Sequence, residues 1–490
     1  MEAVAHPSFL ATRRGKLTLA FLCGVGFLDF VDASIVNVAL PSIRHSLHFS
    51  IQSLQWVLSG YLLTYGGFML LGGRASDLIG RRQVLMTGTV VFGLASLAAG
   101  LSTSATMLVV ARLIQGAGAA MTIPSALSIL TTSFTNVSDL HKALGAWGAM
   151  GGLGSALGVF LGGALSQGPG WRWVFFVNLP VCALDVFAAS RLVAREHHRP
   201  RLANFDLLGA FLATAGMLLL IYALVNAPNI GWGRTRTIAE LAGAGVLLLA
   251  FVINETRQTN PLFPFSILRI PGLAAADVTQ VIAMAGFYAM FFFVTLYMQN
   301  VLGFSQLSAG AAYLVPTFLV AISAGVSSQL FLRIGTRPII AGGALLGAAG
   351  VYLLSRIPVD GSYVSNLLPG LAVMAIGLGA VFVGVTTAAQ AGVPSDKAGL
   401  AAALINASTW LGGAIGVAIF SAVSTSRARH LIQTHATVHE ALTSGFRRAL
   451  LACAISMVAA AVVALRATNT RGEPAAAVSA LEVVPAPEGA

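Results

Sequence analysis

The sequence has few charged residues and few cysteines. Asp, Glu, Lys and Arg make up 9% of its 490 residues, whereas a soluble globular domain carries roughly 25%. The three cysteines, Cys23, Cys182 and Cys453, all lie inside apolar segments, where a thiol behaves as a small hydrophobe. The low charge excludes a soluble enzyme and a disordered scaffold, and the cysteines indicate neither a disulfide framework nor a metal site.

Sequence motifs for nucleotide binding, catalysis and metal binding are missing as well. We find no nucleotide-binding P-loop, no Ser/His/Asp arrangement and no metal-ligand spacing. A membrane-embedded enzyme or receptor would need a catalytic cluster or a sizeable soluble domain, and neither is visible. We therefore expect no enzymatic activity, no cofactor and no bound metal, and an energy source other than ATP.

Apolar sequence is abundant instead. Hydrophobic residues make up 57% of the chain and the mean hydropathy is +0.83. Stretches of about 17–25 apolar residues, the length of a transmembrane helix, recur to the end of the chain. The sequence therefore predicts an all-α polytopic membrane protein in the lipid bilayer, with fourteen transmembrane helices at residues 17–40, 53–72, 83–101, 106–130, 143–165, 173–190, 206–226, 238–256, 272–299, 305–330, 338–355, 365–390, 398–423 and 447–466.

Most basic residues lie in the predicted loops between these stretches. The net charge of +11 would indicate nucleic acid in a soluble protein, but here its placement is what membrane topology requires. With a cytoplasmic N-terminus, 18 basic residues lie inside and 9 outside. The positive-inside rule thus predicts that both termini are cytoplasmic, in a cell membrane, with no nucleic-acid partner. The largest predicted outer loop is 424–446.

A basic segment at 191–204 separates the first six predicted helices from the rest. A faint repeat supports two halves, because GRASDLIGRR (73–82) and SQLFLRIGTRP (328–338) both carry Ile-Gly-x-Arg. Such repeats are common in transporter folds. We predict two bundles around a central path, with the boundaries 1–195 for an N-terminal six-helix bundle, 196–260 for two linker helices, 261–467 for a C-terminal six-helix bundle and 468–490 for a disordered cytoplasmic tail.

Four motifs follow one another in the N-terminal half. They are DASIVNVALP (32–41), GRASDLIGRR (73–82), RLIQGAGAA (112–120) and GSALGVFLGG (154–163), and FDLLG (205–209) and LINASTWLGGAIGVAIF (404–420) come later. With these motifs the sequence resembles the major facilitator superfamily, and within it the fourteen-helix drug:proton antiporters, over residues 15–467. Three positions depart from the family pattern: Ser34 replaces Thr, Val159 replaces Pro, and Thr409 stands where Arg is frequent.

The resemblance implies a proton-coupled multidrug exporter of lipophilic, cationic compounds, which works by alternating access and functions as a monomer. The alternatives are a dedicated exporter of one metabolite or antibiotic and a nutrient importer of the same fold. The resemblance also implies an inner latch motif, formed by Gly73, Asp77, Gly80, Arg81 and Arg82. It further implies an antiporter motif, formed by Gly154, Gly158, Gly162 and Gly163, although generic helix packing would produce a similar glycine stripe.

Acidic residues inside the membrane are the candidates for proton coupling. Asp29 and Asp32 are three residues apart and so lie on one face of the first helix. Two carboxylates so close in a low dielectric cannot both ionise cheaply. By resemblance Arg112 faces the same cavity and takes part in coupling, and purely structural pairing is the alternative for all three.

Other polar residues in the spans are candidates for a substrate cavity. Asn37 and Gln115 share helices with the coupling residues, and Asp185 is an isolated acid in the sixth span. Intramembrane charges are costly, so they usually face a bundle interior or a wet cavity. Asp277 in the ninth span is a similar acid for which we predict no role.

Overall fold

The structure is a computed structural model that describes residues 9–134, 137–194, 206–258, 261, 265–391, 393, 398–435 and 437–471. Eleven helices in the described residues are long and apolar enough to cross a membrane, and Trp56–Ile79, Val137–Gln167 and Leu207–Ile230 are three further long helices. The predicted all-α polytopic fold is therefore confirmed, and fourteen long helices fit the predicted number of spans. We label them α1 (Arg13–Leu47), α2 (Trp56–Ile79), α3 (Arg81–Gly100), α4 (Ala105–Ser133), α5 (Val137–Gln167), α6 (Trp173–Leu192), α7 (Leu207–Ile230), α8 (Thr235–Arg257), α9 (Leu273–Asn300), α10 (Gln306–Ile334), α11 (Thr336–Leu354), α12 (Leu368–Gln390), α13 (Ala398–Gln433) and α14 (Val438–Ala464).

Several helices are longer than the apolar stretches that predicted them. The predicted outer loop 424–446 is wrong, because α13 runs to Gln433 and α14 begins at Val438. A capping box sets the start of α14: the backbone N–H of Glu440 donates to Thr437 Oγ1, and the backbone N–H of Thr437 donates to Glu440 Oε2. Hydropathy falls at the charged turns of these helices, but backbone hydrogen bonding continues through them.

The segment 73–82 is also helical rather than a loop. Helix α2 runs through Ile79, and Gly80 alone, at φ 115° and ψ 131°, joins it to α3. Gly335, at φ 89° and ψ 164°, makes the same one-residue link between α10 and α11. Both glycines adopt backbone angles that side chains disfavour, which explains the shared Ile-Gly-x-Arg sequence.

The arginines of this repeat make equivalent contacts. Arg82 at the start of α3 donates to the backbone carbonyl of Ser190 near the end of α6, at 2.9 Å. Arg337 at the start of α11 donates to the carbonyl of Ala467, just after α14, at 3.0 Å. Each cation therefore lies at the negative C-terminal end of the last helix of its group. We call the end of the molecule where α1 begins and α14 ends the proximal end, and the other the distal end.

The helices pack as two groups. In the first, α1 packs on α5, α2 and α3 pack on α4, and α6 packs on α3. In the second, α9 packs on α13 and α14, and α12 packs on α10 and α11. The groups meet where α2 lies against α13 and α5 lies against α10, and the α7–α8 pair rests on α2 and α13.

Hydrogen bonds between the two groups lie at the distal end. Gln299 of α9 donates to the carbonyl of Val38 at 2.9 Å, and Gln306 of α10 donates to the hydroxyl of Ser42 at 2.7 Å. The backbone N–H of Leu307 donates to Gln167 of α5 at 3.3 Å. These three hydrogen bonds join the groups, so the described part of the structure is held closed at its distal end.

Candidate functional site

The centre of the first group holds a fully buried ion pair. Arg112 Nη1 of α4 lies 2.9 Å from Asp32 Oδ2 of α1, and neither side chain has any exposed surface. Arg112 Nε donates to the carbonyl of Val57 in α2 at 3.0 Å, and the guanidinium lies 4.1 Å from the centre of the Tyr61 ring. A charge pair in such a place persists only when further hydrogen bonds offset the loss of solvation.

Those hydrogen bonds come from two amides. Gln115 Nε2 of α4 and Asn178 Nδ2 of α6 each donate to Asp32 Oδ1 at 2.7 Å. Gln115 also accepts from Arg112 Nη1 at 2.7 Å and donates to the hydroxyl of Ser96 in α3 at 2.9 Å. Four helices therefore supply the groups around one carboxylate, and we call Asp32, Arg112, Gln115, Asn178 and Ser96 the central network.

Asp29 lies one turn away from Asp32 but has different partners. The hydroxyls of two α2 residues donate to it, Tyr61 at 3.2 Å to Oδ1 and Tyr65 at 2.6 Å to Oδ2. Its side chain is 5% exposed. Both acids are buried, and each binds its own set of donors.

The tyrosines on Asp29 extend into an aromatic cluster that crosses between the two groups. Tyr65 stacks on Trp410 of α13, with ring centres 4.3 Å apart and planes at 21°. Tyr61 and Tyr288 of α9 approach the same indole at 6.4 and 6.0 Å. We call Tyr61, Tyr65, Tyr288 and Trp410 the aromatic cluster. It offers ring faces, which attract cations, next to a carboxylate.

Asn37 and Asp185, the remaining candidates for the cavity, lie apart from the central network. Asn37 is 2% exposed, and its Oδ1 has no hydrogen-bond partner among the described residues. Asp185 of α6 is 5% exposed and lines a small cavity together with Asp29. The predicted cavity residues are therefore not brought together as one surface.

The glycines of the antiporter motif seat α5 directly against α1. A Cβ on Gly154 would lie 2.9 Å from the Phe27 carbonyl, and a Cβ on Gly158 or Gly162 would overlap Ser34 or Ile35. Gly163 instead faces α10, where a Cβ would lie 2.6 Å from the Gln306 carbonyl. The first three glycines thus contact the helix that carries Asp29 and Asp32, and the fourth contacts the second group.

The latch motif is described in part. Gly73 lies beside Pro124 of α4, where a Cβ added to the glycine would be 3.7 Å from the Cβ of the proline. Gly80 is buried and links α2 to α3. Arg82 caps α6, and Arg81 is half-buried. The side chain of Asp77 lies outside the described residues, so the predicted latch contact of this carboxylate stays a prediction.

Asp277 lies in the second group with its own polar neighbours. The hydroxyl of Ser408 in α13 donates to its Oδ1 at 3.2 Å, and its Oδ2 is buried without a partner among the described residues. One turn along α9, Gln280 donates to Thr409 at 2.8 Å. Thr409, at the position where the family often has Arg, therefore binds an amide.

Sequence reasoning missed Ser96, Asn178 and the aromatic cluster. A serine, an asparagine or a tyrosine in an apolar stretch is ordinary, and nothing local shows that it meets a carboxylate far away in the chain. The signal in the sequence is weak: an amide in a transmembrane segment needs a hydrogen-bond partner, and the acids of α1 are candidate partners for Asn178.

These features define a polytopic helical membrane protein of two packed groups with a buried ionic site. The sequence model of the Major Facilitator Superfamily matches residues 22–417. The chain belongs to this superfamily, as the sequence predicted, and is a transporter.

Its relatives are named for export and resistance. The chain is 38% identical over 419 residues to the cephamycin export protein CmcT of Amycolatopsis lactamdurans, covering 85% of this chain and 86% of the relative. It is 34% identical over 430 residues to the puromycin resistance protein pur8 of Streptomyces alboniger, covering 87% and 85%. It is 34% identical over 424 residues to the multidrug resistance protein Stp of Mycobacterium tuberculosis, covering 86% and 78%.

Solved structures share the fold at low sequence identity. An inward-facing bacterial homologue of the human lysosomal transporter Spinster has a TM-score of 0.65 at 16% identity, covering 93% of this chain and 97% of that one. An auto-inhibited peptide transporter of the POT family has a TM-score of 0.66 at 16% identity, covering 91% and 96%. These likenesses concern the fold alone.

Proposed function

We propose that this protein is a proton-driven efflux antiporter of lipophilic, cationic compounds. The observation that carries the proposal is Asp32, a carboxylate buried at the meeting point of four helices and bonded to Arg112. Protonation of Asp32 would remove the negative charge that Arg112 pairs with and weaken the bonds from both amides, so one proton changes the contacts of α1 with α4 and α6. The names of the relatives support transport out of the cell, because these proteins are named for export or drug resistance.

The proposed cycle is alternating access between the groups 1–195 and 261–467, with 196–260 as two linker helices. Support comes from the hydrogen bonds at the distal end, which close one side of the interface. The basic residues favour a cytoplasmic proximal end in the cell membrane, with both termini inside. The proposed unit is a monomer, and Asp77 with Arg81 and Arg82 is the latch that closes the proximal side in the other state.

Asp29 and the aromatic cluster support a cationic substrate. Ring faces and a carboxylate attract an organic cation through electrostatics that a low dielectric strengthens. They also lie at the contact of α2 with α13, so a substrate here would touch both groups. Such a position suits a site that faces each side of the membrane in turn.

A dedicated exporter of one antibiotic is the second candidate. The relatives favour it, since two are named for a single compound, cephamycin or puromycin, and one is named for multidrug resistance. A resistance panel in a host that lacks its own pumps separates the two. Protection against several unrelated lipophilic cations supports the multidrug function, and protection against one compound supports the dedicated one.

The proton coupling is tested in proteoliposomes that contain the full-length protein and a trapped pH dye. Addition of substrate on the side from which it is pumped should release protons into that same compartment in step with transport, because an antiporter moves protons opposite to its substrate. The control is Asp32→Asn in the same vesicles, which should bind substrate but release no protons. Substrate transport by the wild type with no proton movement would contradict the proposal.

A further inference from the structure

A cavity lies between four helices of the first group, on the proximal side of the central network. Its polar lining consists of Asp29 from α1, Thr89 from α3, Thr122 from α4 and Asp185 from α6, and the remaining lining residues are apolar. Its volume is about 20 Å³. A polar cavity needs roughly 10–15 Å³ to hold one water molecule, so the two carboxyl groups share a space of the right size for a single bridging water.

Asp185 makes no hydrogen bond in the described structure that would give it a role in folding. Its side chain is 5% exposed, and it has no hydrogen-bond partner among the described residues, whereas Asp29 accepts from two hydroxyls and Asp32 from three donors. A carboxyl group buried in a membrane protein without a partner is costly unless it is protonated or hydrated. The cavity is the place where such a hydrating water can lie.

The charged groups around the cavity are few. The residues of α3 and α4 that line the cavity contribute hydroxyl and apolar groups. Among the described residues, no lysine, arginine or histidine lines it. Thr89 and Thr122 donate their hydroxyls to carbonyls of their own helices, so their oxygens are free to accept from a water. Asp32 lies one turn from Asp29 on α1 and pairs with Arg112, and Cys182 lies one turn from Asp185 on α6.

We propose that Asp185 is a second proton-carrying residue of the transport cycle, which exchanges a proton with Asp29 through a water in the cavity that both line. In the step toward the proximal end, the acid form of Asp29 gives its proton to the water, and the water gives one of its own to the Asp185 carboxylate. Asp29 is left as a carboxylate, Asp185 as an acid, and the water is regenerated. The proposal rests on the proton coupling proposed above.

The order of the residues along their helices fits this route. Asp29 lies three residues, or about 4.5 Å, closer to the proximal end of α1 than Asp32 does. On α6, Asp185 lies seven residues, or about 10 Å, closer to that end than Asn178, which binds Asp32. From the distal to the proximal side the acids are therefore Asp32, Asp29 and Asp185. The third acid leads from the central network toward the side where α1 begins.

The first test separates proton movement from substrate movement. In proteoliposomes, Asp185→Asn should lower substrate-driven proton release at least tenfold, while substrate counterflow, which needs no net proton movement, changes less than twofold. Asp185→Glu should restore most of the release. Proton release at the wild-type rate in Asp185→Asn would overturn the proposal, and so would an equal loss of counterflow and release that Asp185→Glu does not relieve.

The second test fills the cavity without touching either acid. Ala119 lines the cavity and is 1% exposed, so Ala119→Val should displace the water and slow proton release. Ala126 lies on the same helix, is equally buried and does not line the cavity, so Ala126→Val is the control for tight packing. Equal effects of both substitutions would count against a water-mediated step.

The third test does not depend on transport. Infrared difference spectra of the purified protein across a pH step should contain a carboxylic acid C=O band that shifts in D₂O and disappears in Asp185→Asn. Absence of this band from the wild type would overturn the proposal for Asp185, whatever the transport assays give. If the band is present but the wild type moves substrate without protons, the proton coupling fails while Asp185 is retained as a titrating group.

Discussion

Tyr65 of α2 stacks on Trp410 of α13 at 4.3 Å while its hydroxyl donates to Asp29 of α1 at 2.6 Å. One side chain therefore connects a buried acid of the first group with the second group. If the negative charge of Asp29 changes, the hydrogen bond to Tyr65 changes, and the ring that lies on Trp410 is the part that must respond. Tyr65 therefore connects the charge state of Asp29 in the first group to the contact between the two groups of helices.

The first prediction concerns Trp410. Trp410→Ala should weaken binding of aromatic cationic substrates roughly three- to tenfold, because an aromatic contact contributes about 0.5–1.5 kcal/mol beyond its buried area. Trp410→Phe should retain most of the affinity. Fluorescence titration of the purified protein measures both. The control is Trp173→Ala, since Trp173 is 49% exposed on α6; the same loss there would remove the cluster from substrate binding.

The second prediction concerns charge balance in the central network. Asp32→Asn should reduce uphill efflux to background and lower the thermal midpoint, because an unpaired buried Arg112 costs about 3–5 kcal/mol. The double variant Asp32→Asn with Arg112→Gln removes both charges, so it should regain most of the lost stability and no transport. Thermal unfolding and vesicle efflux check the two parts. Uphill pumping by either variant would show that the proton is carried elsewhere.

The motifs predicted the site better than they predicted its surroundings. Asp32, Arg112 and Gln115 were singled out because they belong to motifs whose spacing resembles that of a known family. Asn178 and Ser96 were not, because their contact with Asp32 and Gln115 depends on how α3 and α6 are placed. Local sequence carries little information about such long-range pairs.

Helix number was predictable and helix ends were not. Each apolar stretch corresponds to one long helix, since the bilayer demands that length. The ends depend on single residues instead, such as the capping box at Thr437 and the glycine link at Gly80. Hydropathy averages over many residues and cannot locate them.

The third prediction concerns the contact between α1 and α5. Gly162→Ala should destabilise the protein by about 1–3 kcal/mol and impair transport, because the added methyl group overlaps Ile35 and forces the helices apart. Gly24→Ala is the matched control on α1, where nothing lies within 4 Å of an added Cβ. Alanine there should be neutral or stabilise by up to about 1 kcal/mol. Thermal midpoints that fall equally in both variants would contradict close packing at Gly162.

The fourth prediction concerns the distal hydrogen bonds. Gln299→Ala combined with Gln306→Ala removes two bonds between the groups, each contributing about 0.5–1.5 kcal/mol. The equilibrium should shift toward opening at the distal end by roughly 5- to 150-fold.

Spin labels at Leu101 and Val438 can follow this change, because both sites are exposed and the native cysteines are buried. The label distances should become longer in the double variant and stay as in the wild type in Gln433→Ala, a control at an exposed end of α13. Unchanged distances in the double variant would mean that these bonds do not hold the closed state.

The last prediction concerns Asp29 as the partner of a positive charge. A full charge about 5 Å from a carboxylate gains about 3 kcal/mol at an effective dielectric constant of about 20. Asp29→Asn keeps the shape of the side chain and an acceptor oxygen for the tyrosines but removes this charge. The affinity for monovalent cationic compounds should therefore fall ten- to hundredfold. The loss should be largest for divalent compounds, which have most to gain from a carboxylate in a low dielectric, and efflux of cationic compounds should fall accordingly.

The affinity for neutral substrates should be nearly unaffected, since they gain nothing from the charge of Asp29, whereas proton release should slow for every class because Asp29 also passes a proton to Asp185. The measurement is substrate binding together with efflux for a panel of matched monovalent, divalent and neutral compounds, with Asp29→Glu as the variant that restores the charge. Equal loss of affinity for all three classes would assign Asp29 to coupling or folding alone, because those roles do not depend on the charge of the substrate. No loss in any class would leave Asp29 as a carboxylate that accepts from Tyr61 and Tyr65 among the described residues.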